Sequence, residues 1–213
     1  MMAPPEDPNR PLILCDVDEV VLMFVHPFEE FLVRQGLRLV KRSYALSGNI
    51  IEEATGEAIS GERTGDLVQG FFAAESHRQP SIPGAAEALA ELADHADIRF
   101  LTNIPGDFLD TRSQRLTDHG MPYPVHVNSG PKGRVAAELA AGYVGAVHFL
   151  DDIGSNLVSV RQHIPHARLI YFINDPKFFA LAPPVDEADV KTKNWTEAKR
   201  YILASLSGEH DGT

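Results

Sequence analysis

Along this chain, apolar residues gather into short unbroken runs separated by stretches with helical spacing. The runs are Pro11-Leu12-Ile13-Leu14-Cys15, Ile98-Arg99-Phe100-Leu101, Pro124-Val125-His126-Val127, Ala146-Val147-His148-Phe149-Leu150 and Arg168-Leu169-Ile170-Tyr171-Phe172-Ile173. They are largely continuous rather than alternating, which is how a strand reads when both faces of its sheet are covered. Between them, residues 84–95, 107–119, 133–141, 153–163 and 194–206 carry apolar positions at helical spacing. Gly120 and Gly142 stand where helix ends favour glycine, and Pro165 closes the fourth helix. Strands alternating with helices predict an α/β domain with a mostly parallel sheet.

One stretch breaks the rhythm. Residues 26–80 should hold a single crossover helix, yet the stretch is far longer than that requires. Residues 26–33, 50–59 and 65–76 read as three short helices, with turn-like sequence at 47–49 and 60–65. This predicts a small, mainly helical insertion after the first strand, in the manner of a lid or cap. Phe24, His26, Tyr44 and Asn49 are its candidates for reaching a site in the core. The division expected is a core of residues 1–25 and 81–213 with an insertion of 26–80.

In open parallel sheets, ligands bind beyond the carboxyl ends of the strands. Here those ends carry Asp16 and Asp18 after the first run, Thr102 and Asn103 after the second, and Asp151 and Asp152 after the fourth. Asn156 follows about a helical turn later, and Lys132 precedes the helix before the fourth run. Four carboxylates at one sheet edge repel one another, and a hard divalent cation resolves the conflict. An oxygen-rich set with few protein ligands favours Mg²⁺, with water and a phosphate oxygen completing its shell.

Composition bounds the partners. The 213 residues hold 19 Lys and Arg against 30 Asp and Glu, a net charge of −11. That balance disfavours a nucleic acid polymer, though not a small phosphorylated molecule met by a local cation. Cys15 is the one cysteine, so neither a disulfide within the chain nor a cysteine-rich zinc site is expected. No apolar run is long enough for a membrane span. The first ten residues lack the pattern of a secretion signal and read as a disordered lead, and the tail from Ser207 reads as frayed. The expected compartment is the cytoplasm. A homo-oligomer is compatible with the sequence.

Asp16-Val17-Asp18-Glu19-Val20 after an apolar strand resembles the first motif of the haloacid dehalogenase-like (HAD) superfamily. Leu101-Thr102-Asn103 resembles the second motif, Lys132 the third, and Asp151-Asp152-Ile153-Gly154-Ser155-Asn156 the fourth, all in family order. The resemblance implies a Rossmann-like three-layer core, with residues 26–80 placed where the family carries C1-type caps. It implies Asp16 as nucleophile and Asp18 as general acid and base. The implied metal ligands are Asp16, Asp18 through its backbone carbonyl, and Asp152. Asp151 and Asn156 would support them, Thr102 and Asn103 would hold phosphoryl oxygens, and Lys132 would neutralise charge.

The activity implied is that of a Mg²⁺-dependent phosphatase acting on a small phosphorylated metabolite, nucleoside monophosphates among them, through an aspartyl-phosphate. Family members that cleave carbon–halogen bonds lack the second aspartate of the first motif, so Asp18 disfavours that chemistry. Glu19 departs from the glycine often found there, and could pair with a substrate cation or face solvent. The alternatives are phosphomutase chemistry, phosphonate cleavage using Lys41 as an imine-forming amine, a phospho-receiver without turnover, and a binding protein.

Overall fold

The computed structural model describes residues 5–208. Its centre is a six-stranded, fully parallel sheet. The strands are β1 (Leu12–Cys15), β4 (Asp97–Thr102), β5 (Val125–Val127), β6 (Val147–Asp151), β7 (Arg168–Phe172) and β8 (Val190–Thr192), in the order β5-β4-β1-β6-β7-β8. β1 lies between β4 and β6, with Cys15 opposite both Phe100 and Leu150. All four of its residues are buried, so the unbroken apolar run reflects cover on both faces.

Alternation along β1 splits the core in two. Leu12 and Leu14 face one cluster with Phe149, Leu157 and Leu169, on the side where α5 (Gly133–Ala140) packs on α6 (Gly154–His163). Ile13 and Cys15 face the other, with Leu89, Phe172 and Trp195, where α3 (Ala85–Ala93) packs on α8 (Trp195–Ser207). The layers are therefore helix, sheet, helix. The chain runs from β1 outward through β4 and β5, then returns beside β1 as β6 and continues the other way. The crevice at that reversal, between the ends of β1 and β6, is where such sheets bind ligands.

Between β1 and β4 the chain forms α1 (Val25–Arg34), a hairpin of β2 (Leu37–Leu39) and β3 (Ile50–Glu52), α2 (Gly61–Glu75) and a 3₁₀ turn (Ser76–Arg78). The helix expected over residues 50–59 is a strand and turn instead. Ile50 and Ile51 are buried β-branched residues, and Thr55-Gly56 makes the turn that sends Ile59 back to pair with Ile50. Phe24, Phe28, Phe31, Phe71 and Phe72 stack at the join of α1 and α2, with ring centroids 5.0–6.2 Å apart. Two adjacent chain segments carry this insertion. The Met23 N–H donates to the Pro80 carbonyl at 2.8 Å, and that of Ile82 to Val21 at 2.9 Å.

Other departures are local. The short strand β8 and α7 (Pro176–Leu181) were not expected, and α4 (Leu109–Asp118) begins after a 3₁₀ turn at Gly106–Phe108. Part of the expected lead is ordered. The Pro8 carbonyl accepts the Val144 N–H at 2.7 Å, and Arg10 pairs with Asp97 at 2.8 Å. Ser207 closes α8, with Gly208 as its left-handed cap; residues 1–4 and 209–213 lie outside the described residues.

His148 is buried inside β6, and one ring nitrogen meets the Ser205 hydroxyl at 3.1 Å. Burial pulls the imidazole down to about 4, with Arg168 adding to the effect. From about pH 6.5, the ordinary histidine value, down to 4, the unfolded chain takes up a proton that the folded protein refuses. Stability should therefore fall as pH drops through that window, by up to about 3 kcal/mol from this ring alone. Urea denaturation of wild type and His148→Gln between pH 7 and pH 4 tests this. The variant should show the shallower loss.

Candidate active site

Asp16 directly follows β1, and Asp151 ends β6, the neighbouring strand; the Asp16 N–H donates to the Leu150 carbonyl at 2.9 Å. The two carboxylates share one ammonium. Lys132 Nζ lies 2.5 Å from Asp16 Oδ1 and 2.7 Å from Asp151 Oδ2, and Lys132 is 1% exposed. It reaches them because α5 starts hard against α6. Gly133 donates its N–H to Ser159 Oγ at 3.0 Å, and a Cβ there would meet the Ser159 carbonyl oxygen at 2.2 Å. Arg134, the other cation nearby, is exposed and paired with Glu138.

Asp151 is saturated with donors. Besides Lys132 it accepts the Ile153 N–H at 2.8 Å and Asn156 Nδ2 at 3.0 and 3.1 Å. Asp16 and Asp152 have fewer. Asp152 accepts the Tyr44 hydroxyl, which also donates to the Asp152 backbone carbonyl and so ties the insertion to the core. Asp16, Asp151 and Asp152 each offer an oxygen within 4.8 Å of the others.

The electrostatics follow from this crowding. Burial pushes the Asp16 carboxyl up to about 7; Lys132 opposes that, while Asp151 and Asp18 add to it. Burial, with Asp151 and Asp16 close by, raises Asp152 well above the carboxylate range. Burial alone would depress Lys132, but the two carboxylates overcome it and hold the ammonium protonated. The Tyr171 phenol is pushed up to about 12 by burial and then by Asp152 and Asp151, and its buried hydroxyl has no hydrogen-bond partner. Three carboxylates against one ammonium leave an excess of negative charge, which a divalent cation would answer.

A cavity of about 250 Å³ opens on this cluster. Asp16, Asp18, Thr102, Asn103, Lys132, Asp152 and Asn156 all line it, and Asp151 sits just behind through Lys132 and Asn156. The Thr102 hydroxyl is buried without a partner, so it is free to meet a ligand oxygen. The Asn103 side chain is turned toward its own loop, donating to the Gly130 carbonyl at 3.0 Å and accepting from Asn128 at 2.8 Å. The Asp18 carboxylate stands apart from the three-carboxylate cluster. It accepts Arg112 Nη1 at 2.9 Å and Gln79 Nε2 at 3.0 Å, which leaves only its backbone carbonyl for the metal role the resemblance implies.

Glu19 does neither of the things expected of it. Its carboxylate turns inward and accepts the N–H groups of Phe24 and Val25 at 2.9 and 2.6 Å, capping the start of α1. To do so it holds φ at 62°, a left-handed conformation that is costly for a glutamate. Burial raises its carboxyl pKa, against the two backbone donors. Phe24 and Tyr44 line the cavity as expected, whereas His26 is exposed beside Glu30 and Asn49 is spent on the carbonyls of Ser43 and Ala45. Lys41 is paired with Asp175 at 2.7 Å and Glu29 at 3.1 Å. Burial would lower its pKa, but those carboxylates raise it, so it is no free amine for an imine.

Sequence reasoning missed Gln79, Arg112 and Asp175. Arg112 carried a signal: it stands four residues before Leu116, on the face α4 buries, and a charge on a buried stripe needs a partner. Gln79 carried none. It matters because it sits where the insertion rejoins the core, giving Nε2 to Asp18 and to the Met23 carbonyl while its own carbonyl accepts Arg115.

The chain has the fold of the haloacid dehalogenase-like hydrolases. It resembles a HAD family hydrolase from Deinococcus radiodurans R1 with bound phosphate and sodium, at a TM-score of 0.64 and 15% identity over 97% of this chain and 100% of that one. It resembles the magnesium-bound putative HAD-hydrolase YfnB from Bacillus subtilis at 0.62 and 14%, over 91% and 99%. It also resembles the L-2-haloacid dehalogenase from Xanthobacter autotrophicus with chloropropionic acid covalently bound, at 0.54 and 15%, over 90% and 98%. No family model and no curated protein matches the sequence.

The contact of Gly133 with Ser159 makes a clear expectation. Gly133→Ala forces α5 off α6 and draws Lys132 away from the two carboxylates. Stability should drop by about 1–3 kcal/mol, read as a lowered urea midpoint at unchanged slope.

Proposed function

We propose that this protein is a metal-dependent phosphatase that hydrolyses a small phosphate monoester through Asp16. The observation that carries the reading is the pairing of Asp16 with the buried Lys132 beside an unpartnered Thr102 hydroxyl, in a cavity that Asp18 also lines. Such an arrangement suits attack on an anionic phosphoryl group.

In this mechanism Asp16 attacks phosphorus in line, forming an acyl phosphate as the phosphorus–oxygen bond to the alcohol breaks. Asp18 gives its proton to the departing alcohol oxygen. It then takes a proton from water, whose oxygen attacks the phosphorus of the aspartyl-phosphate, releasing inorganic phosphate and regenerating the Asp16 carboxylate. Lys132 holds Asp16 oriented and offsets charge on the phosphoryl oxygens. Thr102 and the Asn103 N–H receive those oxygens. Arg112 and Gln79 orient the Asp18 carboxylate. Mg²⁺ is the cation we assign to Asp16, Asp152 and the Asp18 backbone carbonyl, and when bound it would supply charge neutralisation at the phosphoryl group. Residues 26–80 act as a cap that shields the acyl phosphate from stray water.

A dehalogenase is the competing reading, since structural neighbours include two L-2-haloacid dehalogenases. Asp18 speaks against it, because a departing halide needs no proton.

Two variants test the proposal. Asp16→Asn should lose at least about a thousandfold in phosphate release from p-nitrophenyl phosphate with Mg²⁺, while keeping its circular dichroism. Asp152→Asn should lose Mg²⁺ binding by calorimetry. Wild-type-like turnover in the first variant, or chloride release from 2-chloropropionate by the native protein, would overturn the assignment.

A further inference from the structure

We infer that the alcohol part of the substrate is small, uncharged and apolar or aromatic. This rests on the phosphatase reading and extends it to the substrate class. The cavity has two unlike ends. Asp16, Thr102 and Lys132 lie at the strand ends of the core, whereas Leu46, Val68 and Phe72 from the insertion and Phe24, Ile173 and Phe178 from the core wall most of the remainder. A phosphoryl group at the polar end leaves its alcohol among these side chains. At about 250 Å³ the cavity lies below the range usual for drug-sized ligands.

The charges around the wall decide what that alcohol carries. Among the described residues, Lys132 is the one cation lining the cavity, and Asp16 and Asp151 already engage it. The next cations stand off the cavity wall. Arg112 lies 5.5 Å from the Phe72 ring centroid and is paired with Asp18 through Nη1, its Nε and Nη2 being buried without a partner. Lys41 lies over Phe178 and is paired with Asp175 and Glu29. A second anionic group, such as a carboxylate or another phosphate, would be desolvated with no further cation on the cavity wall to meet it.

The carboxylates are equally committed. Asp175 belongs to Lys41 and to the N–H groups of Lys177 and Phe178, and Glu19 to the N–H groups of Phe24 and Val25. A cationic alcohol therefore finds no free counter-ion. A polyhydroxylated one finds few partners, because the Tyr44 hydroxyl is held on Asp152 and the Asn156 amide on Asp151.

The test compares esters whose alcohols have broadly similar leaving ability: benzyl phosphate, 2-phosphoglycolate, glucose 6-phosphate and phosphocholine, each with Mg²⁺. Benzyl phosphate should have the highest kcat/KM, by at least about tenfold. In thermal-shift measurements benzylphosphonate should stabilise the protein more than phosphonoacetate at equal concentration. Val68→Lys puts a cation on the half-buried helix face of the cavity. It should move the kcat/KM ratio toward 2-phosphoglycolate at least tenfold. Equal or better hydrolysis of 2-phosphoglycolate, glucose 6-phosphate or phosphocholine by the native protein overturns this inference and leaves the phosphatase reading standing. Hydrolysis of none of the four overturns both.

Discussion

The molecule is organised around one buried ammonium. Lys132 lies between Asp16 and Asp151, and so joins the ends of two neighbouring parallel strands to the start of a helix 19 residues upstream of the second carboxylate. A buried lysine is tolerable only when carboxylates repay its desolvation, and a buried carboxylate pair only when a cation stands between its members. Each partner thus makes the others affordable. The rest follows from keeping that triad dry and in register: β1 covered on both faces, Gly133 pressed on Ser159, and Asn156 filling the remaining acceptors of Asp151.

A second network ties the insertion to the site. Asp18 and Glu19 belong to the loop after β1, and their carboxylates turn in different directions. Asp18 goes to Arg112 on α4 and to Gln79, where the insertion returns, while Glu19 caps α1, where it departs. Gln79 also holds the Met23 carbonyl, so one amide contacts both connecting segments and the carboxylate to which we assign the proton transfers. Tyr44 adds a third tie by donating to Asp152. Displacement of residues 26–80 would strain Asp18, Glu19 and Asp152 together, which is how a cap could report its position to the chemistry beneath it.

Strand ends were the legible part of the sequence. A parallel strand covered on both faces is continuously apolar, so the aspartates that stop β1 and β6 stand out against it, and the sheet topology then brings those ends together. The hairpin was harder to read. β2 and β3 are three residues each, too short for alternation to separate from helical spacing. β8 is as short as β5, but the exposed Lys191 at its middle and Thr192 at its end leave no apolar run to read. The role of Glu19 was hidden for another reason. It depends on which N–H groups lie nearby in space, and a charged residue in a loop reads as solvated until its neighbours are known.

The negative balance of the chain acquires a local meaning. Ordinarily a charge of −11 would repel an anionic substrate, and Asp16, Asp151 and Asp152 concentrate that repulsion where the substrate is proposed to bind. Lys132 offsets only part of it. The raised pKa values of Asp16 and Asp152 express the unpaid remainder, since burial and mutual repulsion both favour a proton there. A proton on Asp16 would silence the nucleophile we propose it to be, whereas a cation relieves the same repulsion and keeps the carboxylate ionised. Proton and cation therefore compete for one cluster. On the reading proposed above, the acidity that would repel a phosphate monoester is then what selects a cation as the companion of its phosphoryl group, while the charges beyond the cluster, Glu19 and Asp175, are already held by backbone N–H groups and by Lys41.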